Sequence, residues 1–150
     1  MADVKLVQAG VQHLDDLIPL FDAYRVFYRK PSDLAAASDY LTDCLSHLEA
    51  TVFIAYLDGV AAGFTLLYPT FSSVAMARIW ILNDLFVVPE RRKCGVAEAL
   101  LTEAVGFAKL SGAARVSLRT EVNNETAQRV YERLGWQRND AFYSYDFALG

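Results

Sequence analysis

Three consecutive cations, Arg91, Arg92 and Lys93, stand just before Cys94, Gly95 and an apolar helical pattern in the stretch VVPERRKCGVAEALL, residues 87–101. A turn leading from a strand into a helix presents unpaired backbone N–H groups and the positive end of the helix dipole. Phosphate binds naturally at such a place. Gly95 and Ala97 keep the first helical turn free of bulk, so a large phosphorylated ligand can approach the backbone. The spacing fits neither a Walker loop nor the dinucleotide GxGxxG pattern. It reduces to Arg92-x-x-Gly95-x-Ala97. The competing expectation is a solvated helix start whose arginines pair with Glu90 or Glu98.

Other residues of chemical interest are scattered. In NNETAQRVYERLGW, Asn124, Ala127 and Tyr131 fall at i, i+3 and i+7 on one helix face. Asn83 and Asp84 interrupt the apolar run LNDLFV, and a carboxylate there needs a reason because burying it unpaired is costly. An aspartate that caps or pairs within the fold is the alternative. Tyr24 and Tyr28, four apart, could offer aromatic faces to an alkylammonium, although core packing accounts for either one alone. Cys94 lies beside cations and a helix N-terminus, a setting that can lower a thiol pKa, but a variable loop position explains it as well and no catalytic role is assigned. His13 and His47 fall at a helix start and a helix end, where capping or surface roles are expected.

The elements that must position these residues follow from periodicity. DVKLVQA alternates and reads as a half-buried strand ending at Gly10. From His13 to about Lys30, apolar residues recur at helical spacing until Pro31. A second helix starts with Ser32 or Asp33 as N-cap and presents Leu34, Tyr40, Leu41, Leu45 and Leu48. Asp58-Gly59 between two β-rich runs signals a hairpin, with Gly63 marking a bulge. The long apolar run AMARIWILNDLFVV reads as a strand buried on both faces. A helix from Gly95 to about Leu110 stops at Ser111-Gly112, ARVSLRTEV is the next strand, and a short helix runs from an Asn123 or Asn124 cap to Gly135. The remainder, Trp136 to Leu149, alternates and is expected to form a terminal strand. Together these give a mixed sheet with one crossover unit: strand 75–88, helix 95–110, strand 115–120.

The chain has 150 residues, the length of one domain, and its 54% apolar content is enough for a sizeable core. A single domain spanning 1–150 is therefore expected. No stretch of about 18 uncharged apolar residues could cross a bilayer, and the opening MADVKLVQAG lacks the features of an export signal. Two distant cysteines, Cys44 and Cys94, suggest neither a disulfide framework nor a metal site. A cytoplasmic protein without metal or membrane partner is expected. The formal charge of −4 argues against general nucleic-acid affinity.

Arg92-x-x-Gly95-x-Ala97 resembles motif A of the GCN5-related N-acetyltransferase (GNAT) superfamily. Asn124, Ala127, Tyr131, Gly135 and Trp136 resemble its following motif, Asn-x-x-Ala-x-x-x-Tyr-x-x-x-Gly-Phe/Trp. With the matching element order, the resemblance spans nearly the whole chain, and the Tyr-x-x-Phe-Tyr run at 24–28 is similar to a branch named for histone and polyamine acetylation. It implies an α/β (α+β) fold with a mixed central sheet of about seven strands and splayed central parallel strands. It implies acetyl-coenzyme A as cofactor, with pyrophosphate on the backbone of Arg92, Lys93, Cys94, Gly95, Val96 and Ala97. The pantetheine arm would lie along Phe86, Val87 and Val88, and Asn124, Ala127 and Tyr131 would face the cofactor. Where Lys93 stands, family members commonly have glycine.

The implied reaction is acetyl transfer to a primary amine by direct attack in a ternary complex. A free alkylamine has a pKa of about 10.4 and must lose a proton before it attacks, and the departing thiolate gains from a proton donor. The resemblance makes Tyr131 the general acid. Polyamine-acetylating relatives carry LEDFFV-like sequences; Asn83 stands at their glutamate, so Asp84 becomes the base or ammonium anchor. Tyr24, Tyr28, Asn83 and Asp84 would border the acceptor, expected to be a small polyamine, diamine or amino-acid-like amine. Alternatives are acetylation of a protein lysine or N-terminal amine, or a catalytically idle acyl-CoA-binding module. A homodimer through the terminal β region is a further implication.

Overall fold

The computed structural model describes residues 3–150. These divide at Leu118–Arg119 into two compact units. The first contains strand β1 (Val4–Gln8), helices α1 (Leu14–Phe27) and α2 (Leu34–Ser46), strands β2 (Thr51–Leu57), β3 (Val60–Ser72) and β4 (Ala77–Val87), helix α3 (Val96–Leu110) and the short strand β5 (Val116–Ser117). The second holds helix α4 (Glu125–Arg133). Among the described residues, no helix is long and apolar enough to cross a membrane.

The sheet runs β1-β2-β3-β4-β5, antiparallel except for the parallel pair β4–β5. That parallel ladder comprises Trp80↔Val116 and Ile81↔Ser117, whereas β4 continues six residues further to Val87. The expected crossover unit is present, with its second strand much shorter than the sequence pattern suggested. Among the described residues, five strands form rather than about seven. The alternating segment at 141–149 is not a strand: Phe142, Tyr143, Tyr145, Phe147 and Leu149 are all exposed. Alternation supplies a two-faced segment, but a strand exists only where a neighbouring edge completes its hydrogen bonds.

One face of the sheet packs on α1 and α2. Leu17, Leu20, Phe21, Ala37, Leu41 and Cys44 meet Val52, Ile54, Phe64, Leu66 and Phe86 in one buried cluster. On the other face, the Phe107 ring of α3 lies 5.5 Å from Phe53 and 5.0 Å from Trp80. β4 is buried on both faces, as its apolar run predicts. The Asp58-Gly59 turn has positive φ at both residues, the backbone of a tight two-residue hairpin.

Two irregularities shape the sheet near the C-terminal end of β4. Between β2 and β3 the register slips so that Ala55 opposes Gly63 while Tyr56 opposes Ala61, leaving Ala62 as the extra residue. Gly63 itself permits close approach: a Cβ there would fall 2.5 Å from the carbonyl oxygen of Phe86. Between β3 and β4, Leu66 opposes Asp84 while Leu67 opposes Leu82, so Asn83 is a bulge. Directly opposed residues share a face, which puts Asp84 with Leu66 on the α1/α2 side and Leu82 with Leu67 on the other. Without the bulge, Asp84 and Leu82 would point the same way.

Helix termini follow the polar residues. Asp33, rather than Ser32, caps α2 by accepting from the Ala36 N–H at 3.0 Å. Ser32 instead donates to the Asp22 carboxylate at 2.6 Å, and the Asp33 N–H donates to its other oxygen at 2.8 Å. Asp22, buried on α1, thereby ties the α1–α2 connection to the helix before it. These two bonds, from Ser32 first and Asp33 second, hold its carboxyl below the usual range. The two histidines take local roles, His13 Nδ1 accepting from the Gly10 N–H and His47 Nδ1 meeting the Asp43 carbonyl.

A carboxyl whose pKa is lowered in the folded state stabilises the protein above its unfolded pKa, and that stability is lost as pH falls through the folded value. Asp22→Asn should therefore lower stability by about 1–3 kcal/mol at pH 7, read from urea midpoints. The gap between variant and parent should close below the ordinary carboxylate range.

Candidate active site

At the end of β4 the chain passes Val88, makes a 3-10 turn at Pro89–Arg91 and enters α3 through Gly95. Gly95 is the N-cap, with φ 81°, and no side chain caps it. A Cβ at Gly95 would meet nothing within 4 Å, so the space above it is open and the requirement for glycine is one of backbone conformation. The first intrahelical bond is Ala99 N–H to the Gly95 carbonyl at 3.1 Å. The N–H groups of Val96 and Ala97 precede it and point out of the helix end. A fifteen-residue helix with a bare, open N-terminus fits a phosphate group.

Lys93 also has a left-handed backbone, φ 64°. The glycine common at this position in the family is therefore explained by conformation, and the lysine accepts strain of about 1 kcal/mol. Its side chain is exposed, as is Cys94, whose Sγ lies 3.6 Å from the Arg92 carbonyl oxygen. Arg92 turns back from the helix end. Its Nε donates to the Val87 carbonyl at 3.1 Å, and its guanidinium lies 5.4 Å from the centre of the Phe27 ring. The donors at the helix start are thus backbone groups, while Arg92 bolts the loop to β4 and to the end of α1. Val88 donates its N–H to the Ala62 carbonyl at 2.9 Å.

Asp84 lies on the other side of this strand end, 6% exposed among aromatic rings. Asn83 Nδ2 donates to its Oδ1 at 3.0 Å, and Tyr24 hydrogen-bonds to the carboxylate. Burial raises its pKa above the ordinary carboxylate value, against the opposing pull of Tyr24 and then Asn83. The magnitudes agree with that direction: two hydrogen bonds to a charged group contribute about 1.5–3 kcal/mol each, while desolvating a carboxylate costs several kcal/mol. Thr65 Oγ1 donates to the Asp84 backbone carbonyl at 2.8 Å and fixes the strand there. The Tyr24 ring stands edge-on to Tyr28 at 5.0 Å, Phe64 at 5.6 Å and Phe86 at 6.0 Å. Tyr24, Asn83 and Asp84 are brought together as expected, with Tyr28 at the exposed margin.

Two further residues belong to this region. Tyr68 of β3 and Tyr40 of α2 share a hydroxyl–hydroxyl hydrogen bond, and the Tyr40 ring stacks on Phe21 at 5.9 Å. Burial raises both phenols, and the Asp84 charge adds to each rise. Tyr68 was readable as the next same-face residue after Phe64 and Leu66, but nothing in the sequence links it to Asp84 across a bulge.

In the second unit, Asn124 caps α4 by accepting from the Ala127 N–H at 3.2 Å. The Trp136 N–H reaches the Tyr131 carbonyl at 2.9 Å and the Gly135 N–H that of Glu132 at 3.1 Å, a paired helix stop. This folds Trp136 back beside Tyr131, ring centres 6.2 Å apart. The motif's Asn, Tyr, Gly and Trp thus serve first as the cap, C-terminal turn and closing contact of one short helix.

Residues 15–136 match the model of the Acetyltransferase (GNAT) family. An uncharacterized N-acetyltransferase of Bacillus subtilis, YhfO, is 44% identical over 138 residues, 92% of this chain and 93% of its own. A crystal structure of a probable acetyltransferase superposes with TM-score 0.92 at 38% identity, over 97% of this chain and 98% of that one. An aminoglycoside N-acetyltransferase in complex with CoA shares the fold, with TM-score 0.81 at 22% identity over 99% and 97% of the two chains. With the open helix start at Gly95 and this extent of likeness, the chain belongs to the GNAT family of N-acetyltransferases, enzymes that use acetyl-CoA.

Proposed function

We propose that the enzyme acetylates a primary amine of a small cationic molecule, such as a polyamine, diamine or amino-acid-like amine, with Asp84 as the proton acceptor. The observation that carries this reading is the Asp84 carboxylate: buried, held by Tyr24 and Asn83, and surrounded by aromatic rings. An alkylammonium suits such a place. It pairs with the carboxylate and lies against aromatic faces, where cation–π attraction contributes about 0.5–2 kcal/mol. An aminoglycoside, the substrate named for one structural neighbour, is likewise a small molecule rich in primary amines.

Acetyl-CoA supplies the acetyl thioester when bound. The backbone from Arg92 to Ala97 would hold its pyrophosphate, and Phe86, Val87 and Val88 its pantetheine arm. Asp84 receives the proton of the substrate ammonium, and its raised pKa brings it closer to that task than an exposed carboxylate would be. Tyr24 and Asn83 steady the carboxylate while its charge changes. Tyr131 is the proton donor for the departing thiol.

Free thiol should appear from acetyl-CoA only when a suitable amine is added; binding of the cofactor without turnover over polyamines, amino acids, aminoglycosides and short peptides would favour an idle module instead. Preference for a peptide amine would shift the acceptor to protein. Asp84→Asn should lower kcat by about 10²–10⁴-fold. Because a raised carboxyl pKa means that the ionised form is disfavoured in the fold, the charge costs stability above the folded pKa and not below the unfolded one. The same variant should therefore melt no lower than the parent at neutral pH, and a lower melting temperature would show a structural role. Tyr131→Phe should slow thiol release while leaving the dissociation constant for coenzyme A unchanged by calorimetry.

A further inference from the structure

The Arg92 side chain is anchored, but its charge is not paired. Its Nε donates to the Val87 carbonyl at 3.1 Å, and its guanidinium lies over the Phe27 ring, 5.4 Å from the centre. Of the guanidinium donors, only the N–H on Nε is engaged in this way. Among the described residues, the two terminal nitrogens meet no carboxylate or carbonyl oxygen. An exposed arginine ordinarily samples many rotamers. This one is exposed yet held at two points, so its open fork has a fixed direction.

The fork lies at the margin of the face that bears Asp84. Leu66 opposes Asp84 and Phe64 opposes Phe86, so Asp84 and Phe86 point the same way from β4. Phe27 lies 6.4 Å from Phe86 and 5.3 Å from Tyr28, ring centre to ring centre, and both Phe27 and Tyr28 are exposed. A continuous aromatic wall of Tyr24, Phe86, Tyr28 and Phe27 therefore runs from the carboxylate to the guanidinium. Its buried end carries an acid and its exposed end a cation, with Arg29 and Lys30 following directly in the chain. From Asp84 to Val87 the strand advances about 10 Å, which puts both charges within reach of one small molecule.

We propose that Arg92 is a specificity-determining residue that binds a carboxylate carried by the acceptor, which is therefore an amino-acid-like molecule with its amine at Asp84 and its carboxylate at Arg92. This narrows the class given above and rests on the reading of Asp84 as the proton acceptor. A guanidinium meets a carboxylate through two parallel N–H···O bonds, which supply direction as well as attraction. The methylenes between the two ends lie along the aromatic wall. A diamine would instead bring its second ammonium against a cation, and a simple alkylamine leaves the fork to water. Phosphate is the other anion that such a fork takes. The side chain turns away from the helix start and toward the end of α1, which favours the acceptor's carboxylate over the cofactor's phosphate.

The probes are γ-aminobutyrate, δ-aminovalerate and ε-aminocaproate, each set against the n-alkylamine and the diamine of its own length, with thiol release from acetyl-CoA as the readout. At the best-fitting length the parent enzyme should favour the amino acid over the alkylamine about three- to tenfold in kcat/KM, the effect of a well-directed charge pair at an exposed margin. The diamine should rank below both. Arg92→Gln should bring the ratio of amino acid to alkylamine to about one, a comparison within one variant in which any general loss of activity cancels. Phe27→Leu removes the ring under the guanidinium and should erode the same ratio by a smaller factor; it serves as the test if Arg92→Gln does not fold. A parent enzyme that uses the alkylamine or the diamine as well as the amino acid at every length overturns the proposal. So does an unchanged ratio in active Arg92→Gln, or in active Phe27→Leu where the former is unfolded; weaker coenzyme A binding by calorimetry together with that unchanged ratio would assign the fork to the cofactor's phosphate. Turnover of other amines but of none of these probes overturns it too, and each of these results leaves the acetyltransferase reading standing. A parent enzyme that acetylates no amine at all sinks both.

Discussion

A carboxylate kept inside an apolar core is the constraint on which the first unit is arranged. Among the described residues, no cation offsets the loss of water at Asp84, which is instead met by the Tyr24 phenol and the Asn83 amide. Hydrogen bonds of this kind recover part of the desolvation cost and leave the rest expressed as a raised pKa. Such an arrangement survives only if the elements bearing the donors are held firmly. Tyr24 comes from α1, which is fixed by its contacts with Phe64 and Phe86, and Thr65 pins the β4 backbone from the neighbouring strand.

The open helix start and the buried carboxylate share one strand. β4 carries Asp84 near its end and then feeds, within ten residues, the turn that opens α3. Arg92 joins the two physically, with one bond to the Val87 carbonyl and its guanidinium against Phe27 at the end of α1. The loop is therefore not a free appendage bearing positive charge. It is fastened to the same helix that supplies Tyr24, so the spacing between the open helix start and the carboxylate is set by packing. Asp22 plays the matching part at the other end of the α1–α2 connection, setting where α2 begins and hence where Tyr40 reaches the sheet.

Much of this was legible in the sequence because it rests on local rules. The helix start at Gly95, the Asp58-Gly59 turn, the Asp33 and Asn124 caps and the doubly buried β4 each follow from residues within a few positions of one another. The anomaly of a carboxylate at Asp84 was visible too. What stayed hidden depends on pairing across distance. Asp22 reads as one polar residue on a helix until Ser32 and Asp33 fold back to it. Tyr40 and Tyr68 are 28 residues apart and meet only in the fold. The alternation at 141–149 illustrates the opposite error, since a two-faced pattern states what a strand would look like without supplying its neighbour.

The bulge at Asn83 makes the character of this region depend on pairing register as well as on residue identity. Pairing β4 with β3 in regular register while keeping every residue would place Asp84 on the side of Leu82, toward α3, whereas deleting the extra position would leave Leu82 opposite Leu67 and Asp84 opposite Leu66. The strand can therefore lose the extra residue without turning the carboxylate, but it cannot lose the bulge while keeping that residue. Among relatives, the facing of the carboxylate should consequently follow its pairing with β3 rather than the length of β4.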